Sequence, residues 1–83
     1  MDTKQQVLQV LESVLNLGAR ASALTLQSPL LGALPELDSI SVVAMLTALE
    51  DRFGITVEDD DVDGRTFATL GDLVAFVEAK LAA

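Results

Sequence analysis

The sequence contains no cysteine, histidine, tryptophan or tyrosine. Without cysteine there is no disulfide framework and no thiolate metal site. Without histidine or cysteine, the usual general base and the thiol nucleophile are both missing, which argues against an independent active site. Positive charge is scarce as well: five Lys and Arg stand against 13 Asp and Glu, a net charge of −8. Nucleic acid and anionic membranes are bound through Lys and Arg, so both are disfavoured. The balance instead favours partners with basic docking patches. No apolar run reaches membrane-spanning length, and the polar start, Met1-Asp2-Thr3-Lys4-Gln5-Gln6, has no signal-peptide pattern. A cytoplasmic chain is expected.

What is present is an apolar share of 51% in 83 residues, enough for one domain spanning 1–83. A chain this short buries only about 60–65% of the surface its unfolded form exposes, so the apolar residues must be well placed. Val7, Leu8, Leu11, Val14 and Leu15 recur at helical spacing. They predict a first helix from a cap at Asp2 or Thr3 to about Leu17, stopped by Gly18. Residues 18–37 form a long connection, broken by Ser28-Pro29 and Leu34-Pro35. Six leucines (24, 26, 30, 31, 34 and 37) are expected to pin it across the helices, with one helical turn near Pro29–Gly32.

Asp38 can cap a second helix over Ser39–Phe53, with apolar residues at 42, 43, 46, 49 and 53 and Gly54 as its stop. Ile55 and Val57 then anchor a loop. The acidic run 58–63 suits the start of a short third helix of one or two turns, with Val62 inward and Phe67 plugging the core after it. Thr69 and Asp72 form a variant capping box for a last helix. Its buried stripe is expected at Leu70, Leu73, Val74, Val77 and Leu81, with Phe76 at the margin. The predicted fold is all-α: a small four-helix bundle with three long helices, one short helix and a long first loop.

Asp38-Ser39 stands where the long loop meets the second helix. Free N–H donors and partial positive charge at a helix start suit a phosphate, and a serine there can carry a phosphodiester. The plainer reading is a serine that only satisfies backbone donors, but Asp38 already serves that purpose. Ser41 lies two residues on and faces elsewhere. With the helix that follows, Asp38-Ser39-Ile40 and the ending Leu49-Glu50-Asp51-Arg52-Phe53-Gly54-Ile55 resemble the modification site of acyl carrier proteins.

The resemblance implies a carrier, not an enzyme. Ser39 would hold 4′-phosphopantetheine, whose thiol carries acyl groups as thioesters, with Asp38 as the cap beside it. It further implies docking through Ile40, Ser41, Ala44, Met45, Glu50 and Asp51. The implied partners are a phosphopantetheinyl transferase, normally using magnesium, and an AMP-forming acyl ligase or acyltransferase and synthase enzymes. A monomer is expected. The chain departs from fatty-acid-type carriers where Ser41 and Ala44 replace customary acids, which points to different partner enzymes or to simple surface drift. Leu34-Pro35-Glu36-Leu37-Asp38-Ser39 and Asp63–Leu70 look like freestanding carriers of exopolysaccharide and exosortase systems. A carrier for polyketide or aminoacyl groups is the alternative within this class. Val43, Ala44, Met45 and Ala48 can frame an entrance for an acyl chain, or simply pack.

A reading from another class is a calcium-responsive helical module. Asp59, Asp61 and Asp63 alternate before Gly64, as in the opening of a calcium loop, but the twelfth position is Leu70 where a bidentate Glu is needed. A solvated acidic helix start accounts for the run better, and no specific metal site is expected.

Overall fold

The computed structural model describes residues 2–82, apart from the side chain of Asp59. Three long helices carry the fold: α1 (Thr3–Leu15), α2 (Ser39–Phe53) and α3 (Leu70–Ala82). Two 3₁₀ segments, Gly18–Ala23 and Asp59–Asp61, complete the helical content. There is no strand among the described residues, only an isolated bridge between Pro29 and Thr69. The predicted all-α bundle is therefore present, and its short third helix is a single 3₁₀ turn at Asp59–Asp61. One difference is that the long connection opens with a 3₁₀ segment.

Each α-helix begins where a short polar side chain satisfies its first donors. Asp2 Oδ1 accepts from the Gln5 backbone N–H at 2.8 Å. Asp38 Oδ1 accepts from Ser41 N–H at 2.8 Å. Thr69 Oγ1 accepts from Asp72 N–H at 3.1 Å and donates to Asp72 Oδ2 at 3.0 Å. α2 ends as expected at Gly54, whose φ of 65° is left-handed. α1 stops two residues before the expected Leu17, because Asn16 takes the left-handed conformation (φ 57°) and donates its N–H to Glu12 O.

α1 packs on both α2 and α3. Val7 and Leu11 from α1, Met45 and Leu49 from α2, and Leu70, Leu73 and Val77 from α3 are fully buried together. Phe67 plugs the core at 2% exposure. Leu81 does not join this stripe: it is 46% exposed.

The connection before α2 is held partly by leucines and partly by backbone. Leu30 and Leu37 are buried, and Leu24 and Leu34 are half-buried. Leu26 and Leu31 point outward, contrary to expectation. Four backbone hydrogen bonds tie this stretch down instead: Leu30 N–H to Ala68 O, Leu31 N–H to Phe67 O, Leu70 N–H to Ser28 O and Gly71 N–H to Leu26 O, at 2.8–3.0 Å. The helical turn expected near Pro29–Gly32 is a single turn closed by Leu34 N–H on Leu30 O at 2.9 Å.

Candidate functional site

Leu37 is buried and Asp38 is exposed, so the chain emerges from the core one residue before the cap. Asp38 turns back on the helix. Its carboxylate takes the Ser41 N–H, while its carbonyl takes the Val42 N–H at 2.9 Å. The Ser41 backbone hydrogen bond holds the Asp38 carboxyl below the usual carboxylate range, with the Ser41 side chain assisting. The cap is therefore ionised at neutral pH. This changes the expected role of the helix start: Ser41 N–H points at Asp38 and is not open to a phosphate.

Ser39 opens α2 and is exposed. Among the described residues no hydrogen bond engages its hydroxyl. Ser39 lines neither the cleft around Gln9, Ala48 and Arg52 nor the one around Leu8, Gly18 and Ala21. These features fit a serine bearing a long tether into solvent; they do not fit a buried cofactor seat. A phosphodiester here would sit beside the Asp38 carboxylate and would extend away from it, because like charges repel.

The predicted docking residues divide by face. Ile40 is 79% exposed, and Ala44 and Asp51 are also exposed. Ser41 is half-buried. Met45 is fully buried, which removes it from any docking face. Glu50 is half-buried, and its Oε2 accepts from Val57 N–H at 2.9 Å, so it closes the loop after α2. Sequence reasoning omitted Val43 from this face, although it is 63% exposed. The signal was available: 40, 43, 44, 47 and 51 follow the three- and four-residue steps of one helical stripe. All but Asp51 are uncharged.

The four residues considered as an acyl entrance do not converge. Val43 and Ala44 face solvent, and Met45 faces the core. Ala48 is half-buried and lines a polar cleft of about 290 Å³ between α1 and α2, with Gln9, Ser13, Asp51 and Arg52. Arg52 bridges that interface by donating to Gln9.

In the acidic run, the carboxylates turn to other partners. Asp61 Oδ2 pairs with Lys80 Nζ at 2.5 Å and accepts from Glu58 N–H at 2.8 Å. The Lys80 hydrogen bond, followed by the backbone one, holds the Asp61 carboxyl below its ordinary range. Asp63 Oδ1 accepts from Arg65 N–H at 2.8 Å. The side chain of Asp59, the third calcium candidate, lies outside the described residues. No group of three metal-ligating side chains occurs among the described residues. None of their helices is long and apolar enough to cross a membrane.

Comparison with known proteins agrees with this geometry. The family described as "Phosphopantetheine attachment site" matches residues 5–77. An acyl carrier protein of an Exiguobacterium species is 43% identical, over 95% of this chain and 99% of its own length. One from Thermotoga maritima is 29% identical over 98% and 99%. The solution structure of a holo acyl carrier protein from Nitrosomonas europaea superposes with a TM-score of 0.92 at 49% identity, and each chain is covered completely. The chain thus belongs to the phosphopantetheine attachment site family, as one of its acyl carrier proteins: a carrier and not an enzyme.

Proposed function

We propose that Ser39 is the attachment point of 4′-phosphopantetheine and that the exposed stripe of α2 presents the loaded arm to partner enzymes. The observation that carries this reading is the division of roles at the start of α2. Asp38 makes the cap, which leaves an exposed serine hydroxyl outside any hydrogen bond among the described residues. The arm, once attached, supplies a thiol that holds acyl groups as thioesters. The protein's own residues anchor that arm, turn it outward and offer a contact surface beside it.

A phosphopantetheinyl transferase installs the group from coenzyme A, in the cytoplasm, on a monomeric chain. An AMP-forming acyl ligase then loads it, as in the freestanding carriers that the Leu34–Ser39 and Asp63–Leu70 stretches resemble. The partner reads a short neutral contact at Ile40, Val43 and Ala44 and a separate acidic contact at Asp51.

Intact-mass measurement after incubation with transferase and coenzyme A tests the attachment point. One phosphopantetheine increment is expected, mapped to the peptide containing Ser39. Ser39→Ala should fold normally, because Asp38 retains the cap, and should gain no mass. Labelling of Ser39→Ala, or no labelling of the wild-type chain, would overturn the assignment.

A further inference from the structure

The 3₁₀ segment Gly18–Ala23 and the stretch leading into α2 are joined by one ion pair, Arg20 with Glu36. The partners are 16 residues apart in sequence, and Glu36 stands three residues before Ser39. Either side of Glu36, the chain is fixed by its apolar neighbours. Leu37 is buried and donates its N–H to Leu34 O at 3.0 Å, and Leu34 is half-buried. Those contacts set how deep the segment lies. Between them, the Glu36 side chain ties this stretch to the Gly18–Ala23 segment.

Arg20 supplies that constraint. One carboxylate oxygen of Glu36 meets the guanidinium, while the other, Oε1, is shielded from solvent and has no hydrogen-bond partner among the described residues. A half-desolvated carboxylate is unfavourable unless a charge partner compensates it. Without Arg20, the Glu36 carboxylate would gain by swinging into water, which would release the tie between the Gly18–Ala23 segment and the stretch before Ser39. From this arrangement we infer that Arg20 and Glu36 are a positioning pair for the modification of Ser39. They hold the entry to α2 in the orientation that a phosphopantetheinyl transferase requires.

The inference rests on Ser39 being the attachment point, and its test separates the two. Steady-state kinetics of transfer from coenzyme A would be measured on the full chain for wild type, Arg20→Gln, Glu36→Gln and the charge-swapped double variant Arg20→Glu/Glu36→Arg. Thermal melts would monitor folding in parallel. The pair is exposed enough that all four chains should fold, with side chains 55% and 30% accessible. Positioning predicts a kcat lowered about two- to fivefold in the single variants, the scale of one exposed pair. KM should hold, because the α2 stripe is untouched. Arg20→Gln should be the slower of the two, since it leaves a partly shielded carboxylate charged and without its ion-pair partner, and the swap should restore most of the rate.

Single variants with wild-type kcat would remove the pair's role while leaving Ser39 assigned. So would a swap that stays as slow as the single variants, or a rate loss matching only the unfolded fraction. A wild-type chain that accepts no arm would remove the Ser39 assignment, and the pair's role with it.

Discussion

Asp38 and Ser39 are adjacent, exposed and both able to cap a helix, yet only Asp38 bonds to the first turn. A carboxylate reaches the third residue's N–H with more negative charge than a hydroxyl offers, and charge-assisted hydrogen bonds are the stronger kind. Asp38→Ala should therefore lower the melting temperature at neutral pH, with Ser39 still open to modification. The effect depends on pH with a definite sign. The folded-state carboxyl of Asp38 is held below its unfolded value by the Ser41 N–H. Its contribution is complete above the unfolded carboxylate range and is lost as pH falls through the lowered folded value. Melting curves of wild type and Asp38→Ala should converge on acidification. A difference that stays constant, or grows, would show that the charge of Asp38 is not what holds the cap. Glu36, lowered chiefly by the Arg20 side chain, and Asp61, lowered chiefly by Lys80, act in the same direction.

At the level of elements, α2 has two jobs and divides them by face. Val42, Met45, Leu46 and Leu49 turn toward the bundle, while Ile40, Val43 and Ala44 turn away. A neutral outer stripe gives a partner apolar area near Ser39 and only one free acid, Asp51, farther along. Ala44→Glu should slow loading by an acyl ligase, because it places an unpaired charge in the contact. Asp51→Lys should slow it mainly at low salt, since rim charges act through association and are screened. If Ala44→Glu loads normally while Asp51→Lys fails, docking is electrostatic and the neutral stripe is incidental. The start of α3 shows a different constraint. A Cβ built on Gly71 would lie 2.9 Å from Leu26 O, the carbonyl that Gly71 N–H bonds at 2.8 Å. Helix propensity alone would make alanine better here by about 0.5–1 kcal/mol. The obstructing atom is backbone and cannot rotate away, so Gly71→Ala should instead destabilise by about 1–3 kcal/mol on chemical denaturation.

For the molecule as a whole, a modest core works against a large net charge. Leu49 is fully buried, so Leu49→Ala should cost about 2–5 kcal/mol. Leu46 is only half-buried, and Leu46→Ala should cost clearly less. Equal losses in urea denaturation would mean that α2 is rotated from the orientation described. Nine of the 13 acidic residues lie from Glu50 onward. Magnesium or calcium at millimolar levels should therefore raise the melting temperature modestly and to similar extents, and monovalent salt should help by screening. Tight calcium binding that magnesium cannot imitate, lost in Asp61→Asn, would revive the calcium-loop reading.

Local chemistry sufficed for the helix starts and for the motif. The caps at Asp2, Asp38 and Thr69 and the stop at Gly54 act within a few residues of themselves, so neighbouring sequence determined them. The same holds for the Asp38-Ser39 motif, for the absence of histidine and cysteine and for the excess of acidic residues, all read directly from the sequence. Tertiary structure decided what depends on residues far apart in the chain. Val42, Val43, Met45 and Leu46 are all apolar, so periodicity left the buried face of α2 ambiguous until α1 packed against it. Leu81 reads as core by spacing yet is 46% exposed. Leu26 and Leu31 point outward because backbone bonds to 67–71 hold their segment. The pairing of Arg20 with Glu36, and the lack of room for a side chain at Gly71, exist only once the long connection has crossed the helices.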